Sequence, residues 1–365
     1  MQEINIQSPI FSLYVFGSNL LVGCGGGNKK CGIKNKILLF QLNDGSFGEK
    51  LIEEDFDDIP DCIDGIPKKK IFCFCSTNQV IFFKISFETK KFPKIYTLKL
   101  DSDENLINCL KLNDDLLATG EESGALNLFK INYSNDGIAS IKKIASNVNA
   151  HYRDINKIIF GEKNKIKFLI TSSHDGKCKI FDINNLKPDI VSPIKIVSFF
   201  SFRKTYLEPA NYIIRDMIYI KESNLVYTIQ SKKKGESYMT KWDISNINLV
   251  KPIETIKISD NPSTSFDINQ KKNFVGISEY NGNIIFVDLN NMDITGRKKI
   301  GEEAIKICKF HNNFLITGSI AHWLKINREI KGWKFQLFRF IFYLIIFFGI
   351  CYYIYLKKNN LINEK

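Results

Sequence analysis

The sequence predicts an all-β protein, a seven-bladed β-propeller, followed by one C-terminal transmembrane helix. Three observations carry this expectation. Paired runs of alternating apolar residues recur seven times, two of the repeats carry signature residues of a known repeat class, and an uncharged apolar stretch follows the last repeat.

The chain has 365 residues and 44% hydrophobic content, enough to bury a sizeable core and to exclude a disordered protein. Its net charge of +12 would raise encounter with an acidic partner, a phosphate-rich partner or an anionic membrane surface. Lysines are spread throughout and do not gather into one arm or stripe. A nucleic-acid surface would show clustered Lys and Arg with stacking aromatics, so no nucleic-acid partner is expected. The nine cysteines are irregularly spaced and mostly lie in apolar runs. They read as reduced, buried thiols of a cytosolic domain. Cys73 and Cys75 are two apart, hence on one side of a strand, and lack the second pair that a zinc site needs. Glu3 stands where a signal peptide would carry basic residues, so the N-terminal domain is expected to stay in the cytosol.

Taken in order, the chain opens with Glu3-Ile4-Asn5-Ile6-Gln7, which alternates as a short strand. It could pair with the open edge of the last blade and so close the ring. The next stretch is unlike scaffold: Gly23-Cys24-Gly25-Gly26-Gly27-Asn28-Lys29-Lys30-Cys31-Gly32-Ile33-Lys34-Asn35, set between runs that read as strands, Leu20 to Val22 and Lys36 to Leu42. Glycine reaches positive φ and admits close approach but loses much entropy on ordering, so such a run serves contact rather than packing.

The repeats are Leu20 to Leu42, Ile71 to Ile85, Leu116 to Ile131, Phe168 to Ile183, Leu225 to Ile244, Phe274 to Leu289 and Phe314 to Ile326. They begin about 40 to 57 residues apart, a spacing of radially repeated four-stranded sheets. In the fourth, Ala150-His151, Asp154, His174-Asp175-Gly176 and Phe181-Asp182 come close to the WD-repeat signature, with Phe in place of Trp. Trp242-Asp243 supplies the dipeptide itself in the fifth. Asp175-Gly176 and Asn281-Gly282 are turn pairs suited to antiparallel connections. His151 reads as a hydrogen-bonded structural histidine rather than a general base. Glu53-Glu54-Asp55-Phe56-Asp57-Asp58 reads as an acidic patch in a loop between blades. Lys68-Lys69-Lys70 and Lys232-Lys233-Lys234 read as solvated turns.

Beyond the repeats, Trp333 to Arg339 leads into Phe340 to Leu356, which has no charge, and Lys357-Lys358 closes it. As a helix, Phe335 to Leu356 would be about 33 Å long, enough for a ~30 Å hydrocarbon core. Arg328, Lys331, Lys334 and Arg339 outnumber Lys357 and Lys358, which favours a cytosolic N-terminal side. Trp333, Tyr343, Tyr352, Tyr353 and Tyr355 would populate the interfaces. The expected organisation is a cytosolic propeller over 1–327, a basic juxtamembrane linker over 328–334, a transmembrane helix over 335–356 and a short luminal tail over 357–365.

A WD-like repeat, a single C-terminal span and a first blade carrying Gly25-Gly26-Gly27-Asn28-Lys29-Lys30-Cys31-Gly32-Ile33-Lys34-Asn35 together resemble the Sec-twelve/PREB family. Its members are guanine-nucleotide exchange factors of the endoplasmic reticulum membrane. They activate a Sar-type small GTPase and so start COPII vesicle coat assembly for ER-to-Golgi transport. The resemblance implies that Asn28, Ile33 and Asn35 contact the GTPase, while Gly25, Gly26, Gly27 and Gly32 shape the loop. It implies no required cofactor, though a potassium ion could sit in the loop at Gly25, Gly26, Gly27 and Asn28. It also implies a single-pass protein of the endoplasmic reticulum membrane that recruits coat only indirectly. Cys24, Cys31 and the lack of a long luminal tail depart from the family pattern.

An exchange factor makes and breaks no covalent bond; it favours the nucleotide-free GTPase by differential affinity. No Walker sequence is present, so the loop is not a phosphate-binding P-loop. The alternative is a membrane-tethered WD-repeat scaffold without exchange activity, in which the glycine loop would be dispensable.

Overall fold

The computed structural model describes residues 2–27, 32–100, 106–135, 137–163, 166–183, 212–246, 249–328 and 342–352. Seven antiparallel sheets are arranged around a central channel. The first strand, β1 (Gln2–Asn5), stands apart from the sheet that follows it, which comprises β2 (Ile10–Phe16), β3 (Asn19–Cys24), β4 (Asn35–Asn43) and β5 (Ser46–Phe56). The second, third, fifth and sixth blades repeat this four-strand meander over 62–99, 107–147, 213–259 and 263–299. The fourth has three strands among the described residues, over 155–182.

The last blade takes three strands from 305–328 and its fourth from the other end of the chain. Residues Gln2 to Asn5 of β1 pair antiparallel with Ile326 to Trp323. The expected closure is therefore present, on a strand that begins one residue and ends two residues earlier than the alternation suggested. Each of the seven repeats read from the sequence is the middle hairpin of one blade.

Period-two alternation explains why both faces of each sheet are apolar. In β3, Leu20, Val22 and Cys24 pack toward the last blade, whereas Leu21 packs toward the second. In the second blade Phe72 and Phe74 face the first, and Cys73 and Cys75 face the third. Such a strand is buried on both sides, hence its near-continuous apolar run. Seven apolar clusters result among the described residues, one between each pair of neighbouring blades. Trp242 and Phe286, at 1% and 0% exposure, are typical of them; burying one such side chain contributes roughly 2 to 3 kcal/mol. The described cysteines of the propeller are unpaired thiols, and all but the half-buried Cys62 are buried.

Residues 342–352 form an α-helix whose side chains, among them Phe342, Tyr343, Ile345, Phe347, Phe348 and Ile350, are exposed. No helix among the described residues is long and apolar enough to cross a membrane. The expected span over 335–356 lies only partly within them.

Candidate functional site

The glycine stretch is the connection between β3 and β4, the middle strands of the first blade. It emerges at the end where β2 begins, because Cys24 pairs with Ile10 and Gly25 N donates to Pro9 O at 3.0 Å. The link from β5 to the second blade reaches the same end, so three chain segments converge there.

Asn35 ties them together. Its Nδ2 donates to Gly27 O at 2.9 Å and to Asp57 O at 3.0 Å, while its Oδ1 accepts from Gly27 N at 3.0 Å. The side chain is 5% exposed, so its role within the chain is to hold the loop against the interblade link. Ile33 is half-buried over Gly26, and Lys34 is exposed and paired with Asp55. Asn28 lies outside the described residues, as do Lys29, Lys30 and Cys31.

The glycines serve the loop by two different means. A Cβ on Gly25 would fall 2.2 Å from Asn35 Oδ1, and one on Gly26 would fall 2.6 Å from Ile33 Cβ. These two positions are needed for close approach. Gly27 and Gly32 have φ of +83° and +69°, where an L side chain is strained. Cys24 is buried, its Sγ donates to Lys36 O at 3.6 Å, and burial pushes its thiol up to about 12; it is not a reactive thiol.

The acidic run differs in place from the expectation. Residues 53–56 are the end of β5, and only Asp57 and Asp58 lie in the interblade link. A meander blade carries its outermost strand to this end, and that strand is the polar one. Glu53 pairs with Lys36 at 2.7 Å and with Lys50, and these two cations hold its carboxyl below the usual range against the opposing effect of burial. The loop thus sits beside a ladder of matched charges.

The signature residues of the other blades are structural. His151 Nδ1 donates to Asp175 at 3.0 Å and its Nε2 accepts from Thr171 Oγ1 at 2.8 Å, with the ring buried. Burial lowers the His151 pKa and outweighs the pull of Asp175, so the ring is neutral. Trp242 Nε1 donates to Thr228 Oγ1 at 2.9 Å. Gly176 and Gly282 carry the positive φ of their turns, +78° and +80°. The two lysine runs are exposed or half-exposed turns: Lys69 lies over the Tyr133 ring, and Lys232 pairs with Glu236 at 2.7 Å.

What the sequence reading did not single out is the channel, about 720 Å³ in volume. Its wall carries three ion pairs: Lys111 with Asp64 at 2.9 Å, Lys157 with Asp216 at 3.0 Å and Lys309 with Asp267 at 3.3 Å. Each aspartate also accepts a backbone N–H from the next blade, at Leu112, Phe266 and Phe310. An aspartate beside the first apolar residues of a blade was the available signal. Among the described residues no group of His, Cys, Asp and Glu could hold a metal ion.

No protein-family model matches the chain, and no curated protein matches it. Solved structures resemble it in fold. The WD40 β-propeller domain of Doa1 matches with a TM-score of 0.65 and 11% identity over 89% of this chain and 95% of that one. A chain of the Mitotic Checkpoint Complex matches with 0.66 and 13% over 90% and 94%. The computationally designed Ika8 protein matches with 0.57 and 12% over 89% and 98%. At these identities the likeness concerns fold alone: the chain is a WD40-like seven-bladed β-propeller.

Proposed function

We propose that this propeller is a guanine-nucleotide exchange factor for a Sar-type small GTPase, tethered to the endoplasmic reticulum membrane by residues 335–356. The observation that carries the reading is the glycine loop of the first blade, whose described ends Asn35 holds together at the point where three segments meet. A WD40-like scaffold does not need such a loop; a surface that must recognise one conformation of a partner does.

The proposed action is differential binding. Asn28 and Ile33 contact the GTPase better in its nucleotide-free form, and nucleotide leaves faster as a result; Asn35, expected from the resemblance to make contact too, is buried. Asn35 and the four glycines act by holding those contacts in place. Potassium would add to this rigidity. The donor class fits, since backbone carbonyls of the kind offered at Gly25, Gly26 and Gly27 are potassium ligands, and Gly27 O has one lone pair beyond its bond from Asn35. The apolar, exposed helix over 342–352 supports the membrane tether, and the coat would be recruited indirectly through the activated GTPase.

The test is release of a fluorescent guanine nucleotide from the Sar-type GTPase with residues 1–328 added. That fragment contains both strands that close the ring. Acceleration by wild type that is lost in Asn28→Ala is the expected result. No acceleration by a folded fragment would leave the tethered scaffold as the function.

A further inference from the structure

In six blades the innermost strand slips register with its neighbour near its start. The slips fall between Ile10 and Ser12, Ile107 and Cys109, Ile155 and Lys157, Ile214 and Asp216, Ser263 and Ser265, and Ile305 and Ile307. A bulged residue leaves the ladder and its side chain is re-aimed. Here the bulged residues Phe11, Asn108, Asn156, Arg215, Thr264 and Lys306 all line the channel, and Asp61 does so just ahead of the second blade's first strand. The result is a ring with one residue from each blade. It lies at the mouth shared with the glycine loop, since Phe11 follows the Ile10 that pairs with Cys24.

The ring is not uniform. Arg215, Thr264 and Lys306 come from three consecutive blades, so two cations flank a hydroxyl. Arg215 is half-buried, and its Nε donates to Ser231 Oγ at 2.9 Å. No described carboxylate forms an ion pair with its guanidinium or with the exposed Lys306 ammonium, although Asp61 lies within electrostatic reach of Lys306. Deeper in the channel the rule is different, for Lys111, Lys157 and Lys309 each have an aspartate. A desolvated cation is normally paired. Elsewhere around the mouth the polar groups are committed: Asn108 and Asn156 donate to backbone carbonyls of the next blade, and His174 pairs with Asp154 at 2.7 Å. The one carboxyl of the ring is Asp61, whose pKa burial raises while the charge of Lys306 pulls it the other way.

We propose that the channel mouth is an anion site, in which Arg215 and Lys306 bind a phosphate or carboxylate group of a small polyanion. Arginine offers a fork of donors to such oxyanions and lysine a point charge, while the channel has room for the rest of the molecule. The proposal rests on the bulge ring and is independent of the glycine-loop reading.

The test is calorimetric titration of the full chain with pyrophosphate and, separately, with citrate. Wild type should bind at least one of them saturably at one site per chain. Arg215→Gln and Lys306→Gln should each weaken binding by about tenfold or more. Lys221→Gln, which removes a surface cation paired with Glu162 at 3.2 Å, should leave it unchanged. Binding of pyrophosphate alone would assign phosphate, and binding of citrate alone carboxylate. Lys306 is exposed, so its variant keeps the test valid even if Arg215→Gln unfolds. Absence of saturable binding to both probes, an unaffected Lys306→Gln, or an equal loss in Lys221→Gln would overturn the site.

Discussion

Asn35 grips Gly27 with both ends of its amide: Nδ2 donates to the glycine carbonyl at 2.9 Å and Oδ1 accepts from the glycine N–H at 3.0 Å. A third bond runs from Nδ2 to Asp57 O at 3.0 Å. Asn35→Asp keeps the shape of the side chain but replaces its donor with an oxygen facing two carbonyls. The buried, mispaired charge should cost about 2 to 4 kcal/mol. Urea unfolding of residues 1–328 checks this, with Asn35→Ala expected to lose somewhat less. If Asn35→Asp unfolds at the wild-type midpoint, Asn35 is not the clasp of the loop.

The two classes of glycine separate under alanine substitution. Gly25→Ala would place Cβ 2.7 Å from Asn35 Cα, a backbone contact that cannot swing aside, and should cost about 1 to 3 kcal/mol. It should also abolish nucleotide exchange by displacing Asn35. Gly32→Ala meets nothing within 4 Å but keeps φ +69°; its cost should be about 1 to 2 kcal/mol, and Gly32→Asn should recover part of it because asparagine tolerates that region. A melting series of the three variants ranks them, and Gly25→Ala as stable as Gly32→Asn contradicts the close-approach argument.

Closure of the ring predicts a large effect from a short deletion. Besides its ladder, β1 contributes the Glu3 to Lys325 pair at 2.9 Å and the Gln2 side-chain oxygen that accepts from Phe47 N at 2.5 Å. Ile4 and Ile6 pack into the cluster between the last and first blades. Removing residues 1–7 exposes that cluster and a sheet edge. The loss of about 3 to 5 kcal/mol should lower Tm by roughly 10 °C. Differential scanning calorimetry of 8–328 against 1–328 decides it, and an unchanged Tm would mean that the ring is held without β1.

Much of this architecture was legible because it is local. The repeated hairpins announce themselves by period two, and His151 and Trp242 by their blade signatures. The glycine run marked the loop, but its inward residue was not distinguishable: Asn35 looks like any polar loop end until β5 and Asp57 are brought beside it. The channel was harder to read for the same reason. Ile10, Ile155, Ile214 and Ile305 each precede the next apolar core residue of their strand, Leu13, Ile158, Met217 and Cys308, by three positions, which breaks the alternation and marks a bulge. Only the ring converts these breaks into one mouth, because Arg215 and Lys306 are 91 positions apart in the sequence.

The neutral state of His151 predicts an acid-sensitive blade. Its pKa is lower in the fold than in the unfolded chain, chiefly through burial. Below the ordinary histidine value of about 6.5 the unfolded chain therefore takes up a proton that the native ring does not, and stability falls as pH falls. Asp175, whose carboxyl is lowered by the His151 and backbone donors despite its burial, acts in the same direction at more acidic pH. Tm measured from pH 8 to pH 5 should decline, and His151→Phe should flatten that decline while lowering Tm at pH 8. A parallel decline in the variant would assign the acid sensitivity to other groups.

Asp216 carries more of the channel wall than any surface ion pair could. Its side chain is 6% exposed, takes Lys157 Nζ at 3.0 Å, Ser265 Oγ at 3.1 Å and Phe266 N at 3.2 Å, and so links the fourth, fifth and sixth blades. Burial alone would raise its pKa, but the Lys157 and Lys309 ammonium groups and its hydrogen bonds hold it lowered, in the ionised form. Asp216→Ala strands the Lys157 charge and a backbone N–H together, and should cost about 3 to 5 kcal/mol. Lys157→Met with Asp216→Leu removes both charges and should recover a large part of that loss, since a buried pair replaced by apolar groups is often near neutral. Urea midpoints of the single and double variants give the coupling directly. Additive effects, with no recovery in the double variant, would show that the blades are joined through the backbone bond of Phe266 rather than through the pair.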